Sequence, residues 1–405
     1  MKVLHINCSD SGSTGKIINE ISLGLQNVGG VSILCTPKKT ANDLPFLKKY
    51  IVSSRIEQGL NIRINSILGI PYGITSPSTY RIISVIKNEK PDIVHFHSSN
   101  RFMANLYILF KYLSKHNIPV VITNHAEFFY TGSCAHANKC EQWMSGCEKC
   151  KCLKTATGSI LFDNTKWSWK KMRDSLSSLH KLTVVSVSPW VMNRSIKSGI
   201  MNGIRQVTIL NGVNTDIFRP IDDRRIIESL NIPENANIVV FVTAMFSDCL
   251  SDPKGGHFLI DLANRFLDKN TYFLVIGKNN VNSEIPNNII KIGLVNDQYQ
   301  LAKYYSIANV TIVLGKRETY SMPVAESLCC GTPVVGFLAG GPESIALPQF
   351  SSFVTYGDID ALEKSIVMYL DTPKDKVICS IAKNMYSSKE MVDGYLKVYS
   401  QLINQ

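Results

Sequence analysis

Arg317-Glu318-Thr319-Tyr320-Ser321-Met322-Pro323-Val324-Ala325-Glu326 follows the apolar run Val310-Thr311-Ile312-Val313-Leu314 and leads into Ser327-Leu328-Cys329-Cys330-Gly331. The β-branched run reads as a buried strand, and Ser321 as a cap with Pro323 in the first turn reads as a helix start. A strand therefore hands over to a helix through a short turn. The backbone amides of Tyr320, Ser321 and Met322 have no acceptor inside such a helix and point out of its positive end, which suits a phosphate. Glu318 and Glu326 bracket the turn. Each carboxylate accepts two hydroxyl hydrogen bonds, an arrangement suited to polyols on either side of a diphosphate.

With Cys330-Gly331-Thr332-Pro333-Val334-Val335 behind it, this element resembles the donor-binding signature of retaining glycosyltransferases of family 4. Two glutamates at this spacing occur by chance in many helices. The strand before them and the Gly-Thr-Pro-Val-Val strand after them make the pattern specific. Ser321 is a departure, since many relatives carry Gly there. The resemblance implies an α/β chain of GT-B fold, two Rossmann-like domains with parallel sheets facing a central cleft. It also implies a hexosyltransferase that uses a nucleotide-sugar donor and needs no cofactor for catalysis.

Length and composition agree with two domains. A chain of 405 residues exceeds one ordinary core, and 45% hydrophobic with 19% charged residues marks it as globular. The opening Met1-Lys2-Val3-Leu4-His5-Ile6-Asn7 reads directly as a strand, and no run of about twenty apolar residues follows it. The expectation is a cytoplasmic protein, with a peripheral place on the inner face of the cell membrane left open. Charge is lopsided: residues 1–200 carry +14 and residues 201–405 carry −3. A basic excess of this size suits an anionic membrane surface or nucleic acid, or is simply a solvated surface. No helix-turn-helix, zinc-finger or RNA-binding signature accompanies it, so nucleic acid is not expected.

After the first strand, Cys8-Ser9-Asp10-Ser11-Gly12-Ser13-Thr14-Gly15-Lys16 opens an amphipathic run from Ile17 to Leu25. This loop imitates a Walker A element and fails it twice, with Asp10 where Gly is required and Ile17 where Ser or Thr is required. Gly12 and Gly15 permit close backbone approach, to an acceptor or donor phosphate or within an unliganded tight turn. Val31–Cys35, Tyr50–Ser53, Asp92–His97, Val120–Asn124 and Leu182–Ser186 read as further strands alternating with helices, the pattern of a parallel sheet with ligands at its carboxyl edge. His97 and His125 both end strands. The resemblance implies that His125 contacts the donor sugar or a nearby phosphate, and a structural role is the competing reading.

Five of the eleven cysteines fall between Cys134 and Cys152. In a reducing compartment a disulfide cluster is disfavoured, leaving a structural zinc on Cys134, Cys140, Cys147 and Cys150, or reduced packing thiols. Only Cys147-x-x-Cys150 has ligand-like spacing. The Thr131-Gly132-x-Cys134, Trp143 and Gly146-Cys147 pattern itself resembles family 4 enzymes of bacterial surface-polysaccharide synthesis. Two basic stretches with apolar and aromatic residues, Leu44–Ile70 and Lys166–Leu182, read either as interfacial segments or as ordinary outer helices.

A boundary is expected near Asn214, giving a first domain over residues 1–214 with the cysteine-rich insert 130–152. A second domain follows over 215–382, with 383–405 folding back on the first. Within the second domain, Lys254-Gly255-Gly256 matches the family's Lys-Gly, whose lysine neutralises the donor diphosphate, and Gly340-Gly341-Pro342-Glu343 resembles the glycine turn that closes the donor pocket. The companion arginine of relatives is not evident near Met245-Phe246-Ser247, and Lys278 or Arg317 are candidate substitutes. The reading is thus transfer of a sugar to a saccharide acceptor, lipid-linked, in O-antigen, capsule or exopolysaccharide synthesis. Glu318, Lys254 and the amides at 320–322 serve the reacting end of the donor, and Glu326 its ribose. A non-catalytic binder of polysaccharide or nucleic acid on the same scaffold is the alternative.

Overall fold

The computed structural model describes residues 1–37, 44–74, 77–98, 103–223 and 225–405. Among the described residues, thirteen strands fall into two all-parallel sheets. The first sheet holds β1 (Lys2–Asn7), β2 (Val31–Thr36), β3 (Leu47–Ile51), β4 (Ile93–Ser98), β5 (Val120–Asn124), β6 (Leu182–Ser186) and β7 (Arg205–Thr208), in the order β3-β2-β1-β4-β5-β6-β7. The second holds β8 (Asn237–Ser247), β9 (Thr271–Asn280), β10 (Ile289–Gly293), β11 (Val310–Val313), β12 (Val334–Phe337) and β13 (Ser351–Val354), in the order β10-β9-β8-β11-β12-β13. In both sheets the order reverses beside the first strand, the topology of a doubly wound Rossmann-like unit. Central strands such as β1 and β11 are buried without alternation, because helices cover both of their faces.

The chain divides into two compact units, Met1–Leu210 with Met391–Gln405, and Asn211–Glu390. The junctions thus lie a few residues from the expected 214 and 383. Helix Val377–Tyr386 stays with the second unit, where Ile378, Ala382 and Tyr386 are buried and Tyr386 donates to the Ile345 carbonyl. Only the following helix, Ser388–Ile403, changes unit.

In the first unit that closing helix turns Met391, Tyr395, Val398, Tyr399 and Leu402 onto Ile17, Ile21 and Leu25 of helix Gly12–Asn27 and onto Val3 and Ile93 of the sheet. Gly24 makes the approach possible, since a Cβ there would stand 2.2 Å from Val392 Cγ1. Each buried aliphatic side chain contributes about 1.5–3 kcal/mol of transfer free energy. In the second unit the core runs from Val239 and Phe241 through Leu259 and Phe273 to Ile312, Val335 and Leu362.

One strand expectation needs correction, and one strand was not expected. The third strand is Leu47–Ile51 rather than Tyr50–Ser53, and Lys49 within it turns its side chain in to pair with Asp10 at 3.1 Å. β13 carries a half-buried Ser-Ser-Phe-Val pattern at the sheet edge and offered no apolar run to read.

Candidate functional site

The turn after β11 is built from three glycine contacts. Gly315 leaves room for a carboxylate, since a Cβ there would lie 2.7 Å from Glu318 Oε1. Gly255 has φ +75°, and a Cβ on it would strike the Leu314 carbonyl oxygen at 2.3 Å. Lys316 N then donates to Pro253 O at 2.8 Å, so the Pro253–Gly256 loop is stapled to the carboxyl end of β11. As a result Lys254 Nζ donates to Glu318 Oε1 at 2.6 Å, with the lysine side chain 44% and the glutamate 22% exposed. Sequence motifs sixty-four residues apart thus meet as a partly open ion pair.

The Gly340-Gly341 turn closes the other side. Glu318 N donates to Ala339 O at 3.1 Å and Gly341 N to Glu318 O at 2.8 Å. A Cβ on Gly341 would lie 2.4 Å from the Thr319 carbonyl carbon, so only glycine allows this contact. Glu343 holds the turn, taking hydrogen bonds from Ala339 N at 3.0 Å and Gly340 N at 2.7 Å.

Ser321 occupies the N-cap of helix Met322–Cys329, with Pro323 in the first turn, but its hydroxyl makes no capping bond. Among the described residues the amides of Tyr320, Ser321 and Met322 have no acceptor, and the first turn of the helix carries no acid. The Tyr320 side chain is turned inward, where its hydroxyl donates to Asn211 O at 2.8 Å and burial raises its pKa. Glu326 lies further along the helix, only 7% exposed, and accepts from Tyr305 OH at 3.1 Å. The two glutamates therefore differ: Glu318 is open and paired with a cation, Glu326 is nearly enclosed and held by a phenol. Lys278 is exposed on β9, opposite Met245 of β8.

In the first unit His125 directly follows β5 and belongs to a chain of imidazoles. His5 Nδ1 and His97 Nε2 lie 3.0 Å apart, and His97 Nδ1 and His125 Nε2 lie 3.2 Å apart. Burial lowers every member: His5 to about 3, His125 to about 4, and His97 well below the ordinary value, with help from neighbouring imidazoles. His125 is thus a neutral group at physiological pH. The chain was invisible in the sequence except through the shared strand-end positions of His97 and His125.

Gly12, at φ +74°, faces open space, whereas a Cβ on Gly15 would lie 2.6 Å from the Asp10 carbonyl carbon. Gly15 therefore serves a contact within the chain, and the loop is further tied by Asn7 Nδ2 donating to Thr14 Oγ1 at 3.0 Å. The cysteine-rich insert is organised by Glu127, whose carboxylate accepts from Arg194 Nε at 2.6 Å, Tyr130 OH at 3.0 Å and Ala137 N at 2.8 Å. The Arg194 guanidinium lies 4.6 Å from the Trp143 ring centroid and 5.0 Å from that of Trp190.

Burial pushes the Cys147 thiol up to about 12 and raises Cys134 and Cys150 as well, each also feeling its neighbouring cysteines. Cys147 Sγ faces Thr131 O at 3.7 Å, while Cys140 and Cys152 are exposed. Among the described residues, the only His, Cys, Asp or Glu side chains whose ligand atoms come together in threes within 4.8 Å are His5, His95 and His97. Cys134, Cys140, Cys147 and Cys150 are not such a group in this structure, and zinc on them, at Zn–S of about 2.3 Å, would require their sulfurs to draw together. The histidine trio is no open ligand set either. His95 has both nitrogens engaged, with Tyr399 OH at 2.7 Å and Thr123 Oγ1 at 2.8 Å. An Asp-x-Asp, Asp358-Ile359-Asp360, is spent locally: Asp358 caps Ala361 N at 3.0 Å and Asp360 pairs with Arg265.

A cavity of about 780 Å³ in the second unit lies elsewhere, lined by Ile238, Asn309, Cys330 and Lys374 near the amino ends of the strands. The glutamate turn is at the carboxyl edge, where ligands of such sheets bind.

Two seven- and six-stranded Rossmann-like units, with a lysine–carboxylate turn at a carboxyl edge, define a protein of the GT-B class. The model for "Glycosyltransferase Family 4" matches residues 54–217 and that for "Glycosyl transferases group 1" matches residues 222–384. The chain belongs to family 4 of the glycosyltransferases. A D-inositol 3-phosphate glycosyltransferase of Acidothermus cellulolyticus is 31% identical over 149 residues, 32% of either chain, so the match spans about a third of that relative. An uncharacterized 41.2 kDa protein in the cps region of Klebsiella pneumoniae is 22% identical over 98% of this chain and 99% of its own. The crystal structure of Anabaena Alr3699/HepE in complex with UDP superposes with a TM-score of 0.67 at 13% identity, covering 99% of this chain and 100% of that one, a likeness of fold.

Proposed function

We propose that the protein is a retaining glycosyltransferase that moves a hexose from a nucleoside-diphosphate sugar to a saccharide acceptor, lipid-linked, in bacterial surface-polysaccharide synthesis. The observation that carries this reading is the Lys254–Glu318 pair at 2.6 Å beside the unbonded amides of residues 320–322. On donor binding, the Lys254 ammonium and those amides face the diphosphate, where negative charge grows as the glycosidic bond breaks, and fixed donors aimed at developing charge are usually the largest contribution to the rate. Glu318, released from part of its ion pair, accepts donor-sugar hydroxyls, and Glu326 serves the ribose.

His125, neutral at physiological pH, offers a nitrogen as hydrogen-bond donor or acceptor without adding charge. No covalent nucleophile is assigned. The departing phosphate takes the proton of the acceptor hydroxyl as the new bond forms on the same face, which balances the step without a metal. UDP in the fold relative and a cps-region protein among the sequence relatives support the donor class and the surface-polysaccharide setting.

A panel of UDP-, GDP-, ADP- and dTDP-sugars tests the reading by thermal shift and by release of nucleoside diphosphate, since a ligand of the native state raises its melting temperature. One donor is expected to stabilise the protein and to be turned over. Glu326→Ala weakens donor binding, and Glu318→Ala lowers turnover. A protein that binds polysaccharide yet neither binds nor cleaves any donor is the non-catalytic binder instead.

A further inference from the structure

A helix on the outside of a sheet domain buries its apolar stripe and shows its polar one. Helix Arg55–Leu68 does the reverse. Its buried residues are Asn61 and Asn65, and Asn65 Nδ2 donates to Thr157 O at 2.6 Å. Ile56, Leu60, Ile64 and Ile67, spaced so that they share one face, all stand in solvent, Ile56 at 79% exposure.

The apolar face continues beyond the helix. Residues 159–164 run along its carboxyl end, with Ile160 N donating to Ser66 O at 2.7 Å, Phe162 N to Ile67 O at 3.1 Å and Asn164 Nδ2 to Leu68 O at 2.6 Å. That segment lifts Ile160, Leu161 and Phe162 into solvent at 69%, 65% and 56% exposure. Single exposed hydrophobics are ordinary, but seven on two hydrogen-bonded segments form a continuous patch that calls for a partner.

The rim is cationic. Arg55 and Arg63 on the helix are exposed, as are Lys154 and Lys170, which flank residues 159–164 in the chain. The acids of the same segments are already engaged: Glu57 with Arg81 at 3.0 Å, and Asp163 with Cys150 N at 2.6 Å and Thr165 N at 3.0 Å. This local rim belongs to the half of the chain that carries +14.

We propose that this face docks on an anionic lipid bilayer, with the helix lying in the interface plane. The isoleucines and Phe162 sink to the acyl boundary while the guanidinium groups meet lipid phosphates. A second copy of the chain fits the face less well, because a two-fold contact would set its arginines against their own images. The surface is argued from its own residues, so its failure would leave the sugar-transfer reading standing.

The test is co-sedimentation of the full chain with vesicles of phosphatidylcholine, with and without phosphatidylglycerol. Association is expected only with phosphatidylglycerol present, weakening as salt is raised. Leu161→Glu/Phe162→Glu and Ile56→Glu/Ile64→Glu should each bind about tenfold more weakly or worse while keeping the parental melting temperature, since both pairs of side chains are exposed. No association at low salt, or parental binding by both variants, overturns the proposal. So does a dimer of the parent protein that Phe162→Glu converts to monomer.

Discussion

Lys254 and Glu318 meet at 2.6 Å although they come from different loops of the second unit, one before helix Gly256–Arg265 and one after β11. The pair is half open to water, so its contribution to folding is at most about 1 kcal/mol. It places a cation and a carboxylate side by side at a sheet edge, and on the proposed reading a diphosphate and a sugar would each claim one of them.

Replacing either partner therefore separates activity from stability. Glu318→Ala and Lys254→Ala should each lower kcat by about 10²–10³-fold, the usual cost of losing one preorganised charge at a reacting centre. Their denaturant midpoints should stay near the parental value. Parental turnover in both variants, measured as nucleoside diphosphate released, would remove the turn from the catalytic account.

The glycines that bring the loops together are a second point of attack. Gly255→Ala places a Cβ 2.3 Å from the Leu314 carbonyl oxygen at φ +75°, and Gly341→Ala places one 2.4 Å from the Thr319 carbonyl carbon. Each should cost about 1–3 kcal/mol, Gly255→Ala through strain at positive φ and Gly341→Ala through overlap with backbone atoms. Each should also abolish the thermal shift caused by the donor, because the Glu318 turn must move. A donor shift of parental size in both would show that the turn tolerates the displacement.

Glu127 predicts a larger effect on folding. Its side chain is fully buried and binds Arg194, Tyr130 and the Ala137 amide, tying the insert to helix Pro189–Ile196. Glu127→Ala strands the Arg194 guanidinium and should destabilise by about 3–5 kcal/mol in urea unfolding, the cost of breaking a buried pair by removing one member. A loss below about 1 kcal/mol would mean that water reaches the arginine readily.

Acid should unfold the first unit through its histidines. His5 and His125 have folded pKa values lowered to about 3 and about 4 by burial, against about 6.5 unfolded. A depressed folded value means that the unfolded chain binds more protons, so stability is complete above pH ~6.5 and falls as pH drops toward 4. Each such histidine contributes a slope of about 1.4 kcal/mol per pH unit in that window. Urea midpoints between pH 6.5 and 4.5 should fall steadily, and His125→Asn should flatten the slope by about one histidine's worth. A midpoint constant over that range would contradict the burial of the imidazole chain.

What the sequence determined by itself is local. Val310–Val313, the turn, helix Met322–Cys329 and Val334–Phe337 were legible because an apolar β-branched run, a proline in a first turn and a glycine after a helix each act within a few residues. The alternation of such units specified two parallel-sheet domains. Ser321 shows where this reading stops, since it holds the cap position without making the capping bond.

Tertiary structure alone decided which distant groups meet. The pairing of β1 with β4 sets His5 against His95 and builds the imidazole chain, a register that neither strand's own pattern encodes. The Lys49 side chain is enclosed against Asp10, and β13 is a strand because an edge was free to pair. Helix Arg55–Leu68 is the sharpest case. Its isoleucines promise a buried stripe, and the Thr157 carbonyl, ninety-two residues away from Asn65, draws the asparagine inward and leaves the isoleucines outside. Burial follows the partners that the rest of the fold supplies, and a segment read alone does not contain them.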